Sequence, residues 1–189
     1  MKYLLDEEEF KRLGPKQDIQ LLVSFVDILR EKVIKLSGFP IATDISDLDG
    51  KIAKINKSSG KFKMKDIKKA FGIKFKFSKK NKVPDCIFEI KDRIFILEAK
   101  HVNGQGGAQN SSISELESIL ELKGEKPNIF YIAFLDGCYT KYLTVSEPNK
   151  NGTTIEKQLY TIENNLKRNE NNYFVNTAGF IQFMQDLKK

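Results

Sequence analysis

The sequence predicts an α/β fold, a mixed β-sheet flanked by helices. Three observations predict it. Apolar residues recur at helical spacing over residues 17–36. The period then switches to alternation and short apolar runs over 73–100. A helical segment at 112–123 finally leads into the unbroken apolar run 128–135. Helix, three strands, helix, strand is the order of a layered α/β domain. At 189 residues the chain suits one domain, taken as 1–189, with a core over about 17–135 and an extension at 136–189.

Each element has its own signal. A short acidic helix is expected at 3–13, closed by Gly14-Pro15. The helix at 17–36 sets Ile19, Leu22, Val23, Val26, Leu29, Val33 and Leu36 on one stripe, with Gln20, Ser24, Asp27 and Glu31 opposite. Residues 42–62, rich in Asp, Ser, Gly and Lys, read as loop, and 64–71 as a basic helix ended by Gly72. Alternation over 73–77 predicts a strand with Ile73, Phe75 and Phe77 on one face and Lys74 and Lys76 on the other. Two more strands are expected at 83–90 and 94–100. Ser112 with Glu115 three residues on has the form of a capping box, so a helix is predicted from 112 to 123, stopped by Gly124. The run NIFYIAFL at 128–135 predicts a strand buried on both faces. The tail carries weak strand signals at 141–145 and 173–175 and helices at 155–168 and 177–187.

Charge narrows the partners. Lys+Arg 32 against Asp+Glu 25 leaves +7, and residues 51–82 alone hold 13 Lys and one acid, Asp66. A segment this positive suits a polyanion, with a solvated lysine-rich surface as the plain alternative. Lys61, Lys63, Lys74, Lys76, Lys79 and Lys80 lead toward the residues discussed next and are candidate phosphate contacts. Cys86, Cys138 and the single His101 fall short of a zinc ligand set, and two cysteines do not make a disulfide framework. No apolar run approaches the roughly 20 residues of a membrane span, and the acidic start is unlike a signal peptide. The expectation is a cytoplasmic protein with no membrane partner.

The chemistry is expected between Pro84 and Lys100. On a strand, residues two apart share a face, so Glu98 and Lys100 project the same way. If Ile90 pairs with Arg93 across a Lys91-Asp92 turn, Asp85 falls opposite Glu98, about 5 Å away at Cβ. Two carboxylates this close repel unless a cation sits between them. Hard oxygen ligands suit Mg²⁺, with Mn²⁺ as a substitute, and Lys100 beside the ion is placed to hold an attacking water and offset phosphate charge. That set of parts suits phosphodiester hydrolysis. The alternative is a cross-strand surface cluster, against which stands the apolar company of Ile94, Phe95, Ile96 and Leu97, where unpaired charge is costly. His101 has the opposite strand parity and reads as structural. Gln109 and Asn110, near a helix N-terminus, are candidate DNA contacts or caps of the bend. The asparagine-rich stretch 164–176 reads as base contacts or as an exposed turn.

Pro84-Asp85, then Glu98-Ala99-Lys100, then a helix and an apolar strand, resembles the core of the PD-(D/E)xK nuclease superfamily over about residues 73–135. The resemblance implies a restriction-endonuclease-like core preceded by the helix at 17–36, metal binding by Asp85 and Glu98, and Lys100 as the catalytic lysine. Gly106-Gly107-Ala108-Gln109-Asn110 before a helix is similar to what several type II restriction endonucleases carry after the motif. Some members add an acid on the first core helix, a part open here to Asp27 or Glu31. The expectation is a Mg²⁺-dependent endodeoxyribonuclease on double-stranded DNA. It is expected to act as a homodimer, since cutting both strands of a symmetric site needs two sites related by a two-fold axis. The extension at 136–189 would serve DNA recognition or dimerisation. A structure-specific repair or junction-resolving nuclease, and a non-catalytic nucleic-acid-binding protein, are the alternatives.

Overall fold

The computed structural model describes residues 25–74, 83–104, 106–123 and 126–189. The expected helix at 3–13, the first part of that at 17–36 and Phe75–Phe77 of the expected first strand lie outside the described residues. The elements run α1 Phe25–Ser37, a 3₁₀ turn Ile45–Asp47, β1 Ile52–Lys54, α2 Met64–Phe71, β2 Cys86–Ile90, β3 Arg93–His101, α3 Gly107–Leu120, β4 Ile129–Asp136, α4 Tyr139–Val145, α5 Thr154–Arg168, β5 Tyr173–Asn176 and α6 Thr177–Lys188. The five strands form one mixed sheet in the order β1-β2-β3-β4-β5. β1, β2 and β3 are antiparallel, and β4 and β5 add in parallel. Helices cover both faces, so the β3–β4 centre is apolar on each side, as a parallel sheet core must be.

Strand parity sorts the core into two layers. Ile87, Ile94, Ile96, Tyr131, Ala133 and Leu135 face α2, α3, α4 and α5. Cys86, Phe88, Phe95, Leu97, Ile132 and Phe134 face α1 and α6. Each fully buried apolar side chain contributes about 1.5–3 kcal/mol, which makes the β3 and β4 runs the main anchor of the fold. Phe88, Phe95 and Phe130 stack in sequence across three strands, with centroids 4.8 and 4.9 Å apart. Burial also pushes the Cys86 thiol up, helped by Asp85 next to it, so this cysteine packs as a small apolar group.

The hairpin that carries the expected chemistry is fixed by its turn. Lys91 and Asp92 both take positive φ, 50° and 62°, the backbone of a two-residue primed turn. Ile90 pairs with Arg93, and the register runs unbroken to Cys86 opposite Leu97. Asn128 braces the turn by donating its side-chain amide to the Asp92 carbonyl at 2.8 Å.

Several expectations are corrected. The stretch 42–62 is not all loop, because Ile52–Lys54 pairs with β2 as an edge strand. Three residues are too few to display alternation. Of the strand expected at 73–77, Ile73 and Lys74 follow the left-handed Gly72 as coil, with Ile73 tucked into the core. The strand expected at 83–90 begins only at Cys86. Helix α3 starts at Gly107, five residues before Ser112, because Gly106 at φ 148° ends the bend there and accepts from Asn110 N–H. Residues 141–145 are helical rather than extended, since Tyr139 and Leu143, four apart, both enter the core.

The segment after 135 is built into the same sheet. It supplies β5, the capping-box helix α5 (Thr153 with Glu156) and the cover helix α6. An exposed turn does form at 170–171, but other asparagines of the stretch work inside the fold. Asn165, Asn169 and Asn172 donate to the carbonyls of Glu117, Leu120 and Leu122 at the C-terminal end of α3, where the helix leaves its last acceptors unsatisfied. Among the described residues no helix is long and apolar enough to cross a membrane.

Candidate active site at the sheet edge

Asp85, Glu98 and Lys100 lie at one edge of the sheet, where β1, β3 and β4 end and β2 begins, with Asp85 tied to α1 and Glu98 and Lys100 turned to α3. Their arrangement differs from the facing pair that register alone predicts. The Asp85 N–H donates to the Leu97 carbonyl at 2.9 Å, so Asp85 and Cys86 both address Leu97 and the strand bulges by one residue. The bulge turns the carboxylate along the strand edge, where Oδ2 accepts from Ala99 N–H at 2.8 Å, the residue after Glu98. Glu98 and Lys100 share the face that looks toward α3, and their side chains pair with each other. Asp85 thus reaches the peptide that follows Glu98, while its other oxygen turns to Arg30 on α1.

Two groups outside the sequence expectation complete the cluster. Arg30 on α1 donates Nε to Asp85 Oδ1 at 2.8 Å and also lies 3.9 Å from Asp27. Glu115 on α3 stands 3.2 Å from Lys100 Nζ. Of the two acids considered on the first helix, Asp27 is therefore joined to Asp85 through Arg30, whereas Glu31 pairs with Lys54 on β1. Asp85 and Glu98 are buried at 6% and 4% exposure, which raises the cost of any charge mismatch.

The carboxylate donors are all oxygen, the ligand type that a hard cation such as Mg²⁺ takes. Each Asp85 oxygen makes one of these hydrogen bonds, and a carboxylate offers about four lone-pair sites, so capacity for a cation remains. Among the described residues no group of three or more acidic, histidine or cysteine side chains is placed to hold a metal ion. Magnesium is commonly held by one or two carboxylates, with water and phosphate oxygens completing its shell.

On the other face of the sheet, His101 Nδ1 meets Asp136 Oδ2 at 2.9 Å, and Lys32 and Thr177 both reach Asp136 Oδ1 at 2.8 Å. Burial pushes the Asp136 carboxyl up, but Lys32, His101 and Thr177 outweigh it and hold the group below its ordinary value. His101 is thus tied into a structural junction of α1, β3, β4 and α6.

The basic residues divide. Lys61 is exposed and 3.7 Å from Asp44, Lys63 precedes α2, and Lys74 is exposed just after it. Lys65 and Lys69 on α2 are exposed with them. Lys76, Lys79 and Lys80 lie outside the described residues. Gln109 and Asn110 fall in the first turn of α3, both half-buried, and Asn110 accepts from Gln158 of α5 at 3.3 Å.

Glu117, one turn before the end of α3, is raised to about 7 by burial first and by Glu121 second. A carboxyl raised from 4.5 in the fold contributes stability fully present below pH 4.5, and this is lost as pH rises through 7. Discounted for partial exposure, the loss is about 1–2 kcal/mol between pH 4.5 and pH 8. Denaturant titrations across that range should show this decline, and Glu117→Gln should flatten it. A variant that declines as steeply as wild type would exclude Glu117 as the cause.

No protein-family model, curated protein or solved structure matches the chain.

Proposed function

We propose that the chain is a cytoplasmic Mg²⁺-dependent endodeoxyribonuclease of the PD-(D/E)xK type, acting on double-stranded DNA as a homodimeric, site-specific type II restriction endonuclease. The observation that carries this reading is the placement of two buried acids, Asp85 and Glu98, and of Lys100 at one end of the strands, with Asp85 held by the Ala99 N–H and Glu98 paired to Lys100. The order core helix, three antiparallel strands, crossover helix and parallel strand supports a restriction-endonuclease-like core.

In this reading Asp85 and Glu98 hold the ion, which supplies the positive charge that polarises the phosphate. The bulge fixes Asp85 against the Ala99 amide, so one ligand is oriented before any ion arrives. Lys100 holds the attacking water and offsets charge that builds on the phosphate oxygens. Lys61, Lys63 and Lys74, with Lys65 and Lys69, lie on the segment that would follow the DNA backbone.

The test is cleavage of unmethylated, high-complexity genomic DNA with Mg²⁺, with Mn²⁺ and with EDTA, alongside Glu98→Gln. Discrete fragments with either metal, none with EDTA, and a loss of about a hundredfold or more in Glu98→Gln are expected. Cutting of branched DNA alone would replace the restriction reading by a structure-specific one. Salt-sensitive binding with no turnover would remove catalysis altogether.

A further inference from the structure

We propose that Glu115 is a positioning residue for Lys100, holding its ammonium at the sheet edge once Glu98 turns to a divalent cation. The inference rests on the reading of Lys100 as the group beside the scissile phosphate, and it adds a residue to that site which the motif does not contain.

Lys100 Nζ is shared between Glu98, on its own strand, and Glu115, on α3, at 3.2 Å from the latter. The side chains of Glu98, Lys100 and Glu115 are 5%, 19% and 17% exposed, so the exchange takes place in a largely desolvated setting. A divalent ion on Glu98 draws away the negative charge that holds the ammonium, and it repels the ammonium directly. Lysine has a flexible four-carbon stem and no built-in orientation, so one lost partner is enough to let it swing off. Glu115 escapes this competition because it belongs to a different element. Its place is set by the start of α3, which the bend at Gly106 fixes at Gly107. The Ser112–Glu115 spacing that reads as a capping box is therefore inside the helix, and Glu115 serves the strand instead of the helix end.

Two other roles are separable by measurement. As a third ligand, Glu115 would change the affinity for the ion. As a packing residue, it would change stability without changing turnover.

The experiment compares wild type, Glu115→Gln and Glu115→Leu by Mn²⁺ calorimetry, steady-state cleavage of the genomic DNA above, and thermal unfolding. A positioning role predicts an Mn²⁺ Kd within about threefold of wild type and a KM for DNA within about threefold. It predicts kcat lower by about 10–100-fold in Glu115→Leu, with a smaller loss in Glu115→Gln, which keeps a hydrogen-bond acceptor. Cleavage by Glu115→Leu equal to wild type overturns the inference while leaving the nuclease reading intact. So does an Mn²⁺ Kd weakened tenfold or more, which makes the residue a ligand. A wild-type protein that binds Mn²⁺ but leaves DNA uncut removes the nuclease reading itself, and the inference falls with it.

Discussion

Asp85→Ala alone will lower the unfolding free energy by about 3 kcal/mol, and adding Arg30→Met will return most of that loss. The pair joins α1 to the first residue of the bulge through a 2.8 Å bond, with Asp85 buried and the Arg30 side chain 17% exposed. Removing the acid strands a guanidinium in a poorly solvated place and leaves the Ala99 N–H without its acceptor. Replacing both partners by apolar groups removes the stranded charge, so the double variant should be more stable than the sum of the singles implies. Urea unfolding of the four proteins gives the coupling. Additive losses would mean that the contact is decorative. The cycle also guards the catalytic test, because inactivity in Asp85→Ala is informative only where the protein is folded, and the double variant supplies a folded chain that lacks the ligand.

Gly137→Ala should cost about 3 kcal/mol, or roughly 6–12 °C in Tm. Gly137 sits at φ 93°, and a Cβ there would lie 2.6 Å from the Val102 carbonyl oxygen and 2.7 Å from Asn103 Oδ1. The Val102 carbonyl cannot yield, since it accepts from Tyr139 N–H at 3.0 Å while Val102 N–H donates to Asp136 at 2.8 Å. The strain therefore falls on the end of the β3–β4 pair, beside His101 and Asp136. Thermal unfolding followed by far-UV circular dichroism reads the shift. A change below about 2 °C would mean that the loop relaxes freely.

Local chemistry made part of this molecule readable. Gly72 ended α2 at the expected residue, and the Lys91-Asp92 turn set the hairpin register that brings Asp85, Glu98 and Lys100 to one edge. Thr153 and Glu156 opened α5 as a capping box, whereas the same pattern at Ser112 and Glu115 misled, because nothing in four residues tells a helix start from a helix interior. A three-residue edge strand has no period to detect. The one-residue bulge at Asp85 leaves no mark in the pattern either, and it is the bulge that turns the carboxylate out of the facing position. Arg30 and Glu115 were hidden for another reason. Arg30 meets Asp85 from 55 residues away, and a partner at that range is fixed by the packing of whole elements. The asparagine stretch is divided, since the expected exposed turn forms at 170–171 while Asn172 closes the end of a helix 50 residues upstream.

Arg30, Glu31 and Lys32 are consecutive, yet they bind Asp85, Lys54 and Asp136 at the ends of three different strands. Successive side chains leave a helix about 100° apart, so one short tripeptide fans out like three tines and pins the tips of the sheet together. No tine can be lifted by a rotation of the helix without lifting the other two. The site is therefore assembled or dismantled as a unit, and whatever loosens that helix extinguishes the whole edge at once instead of dimming it by degrees.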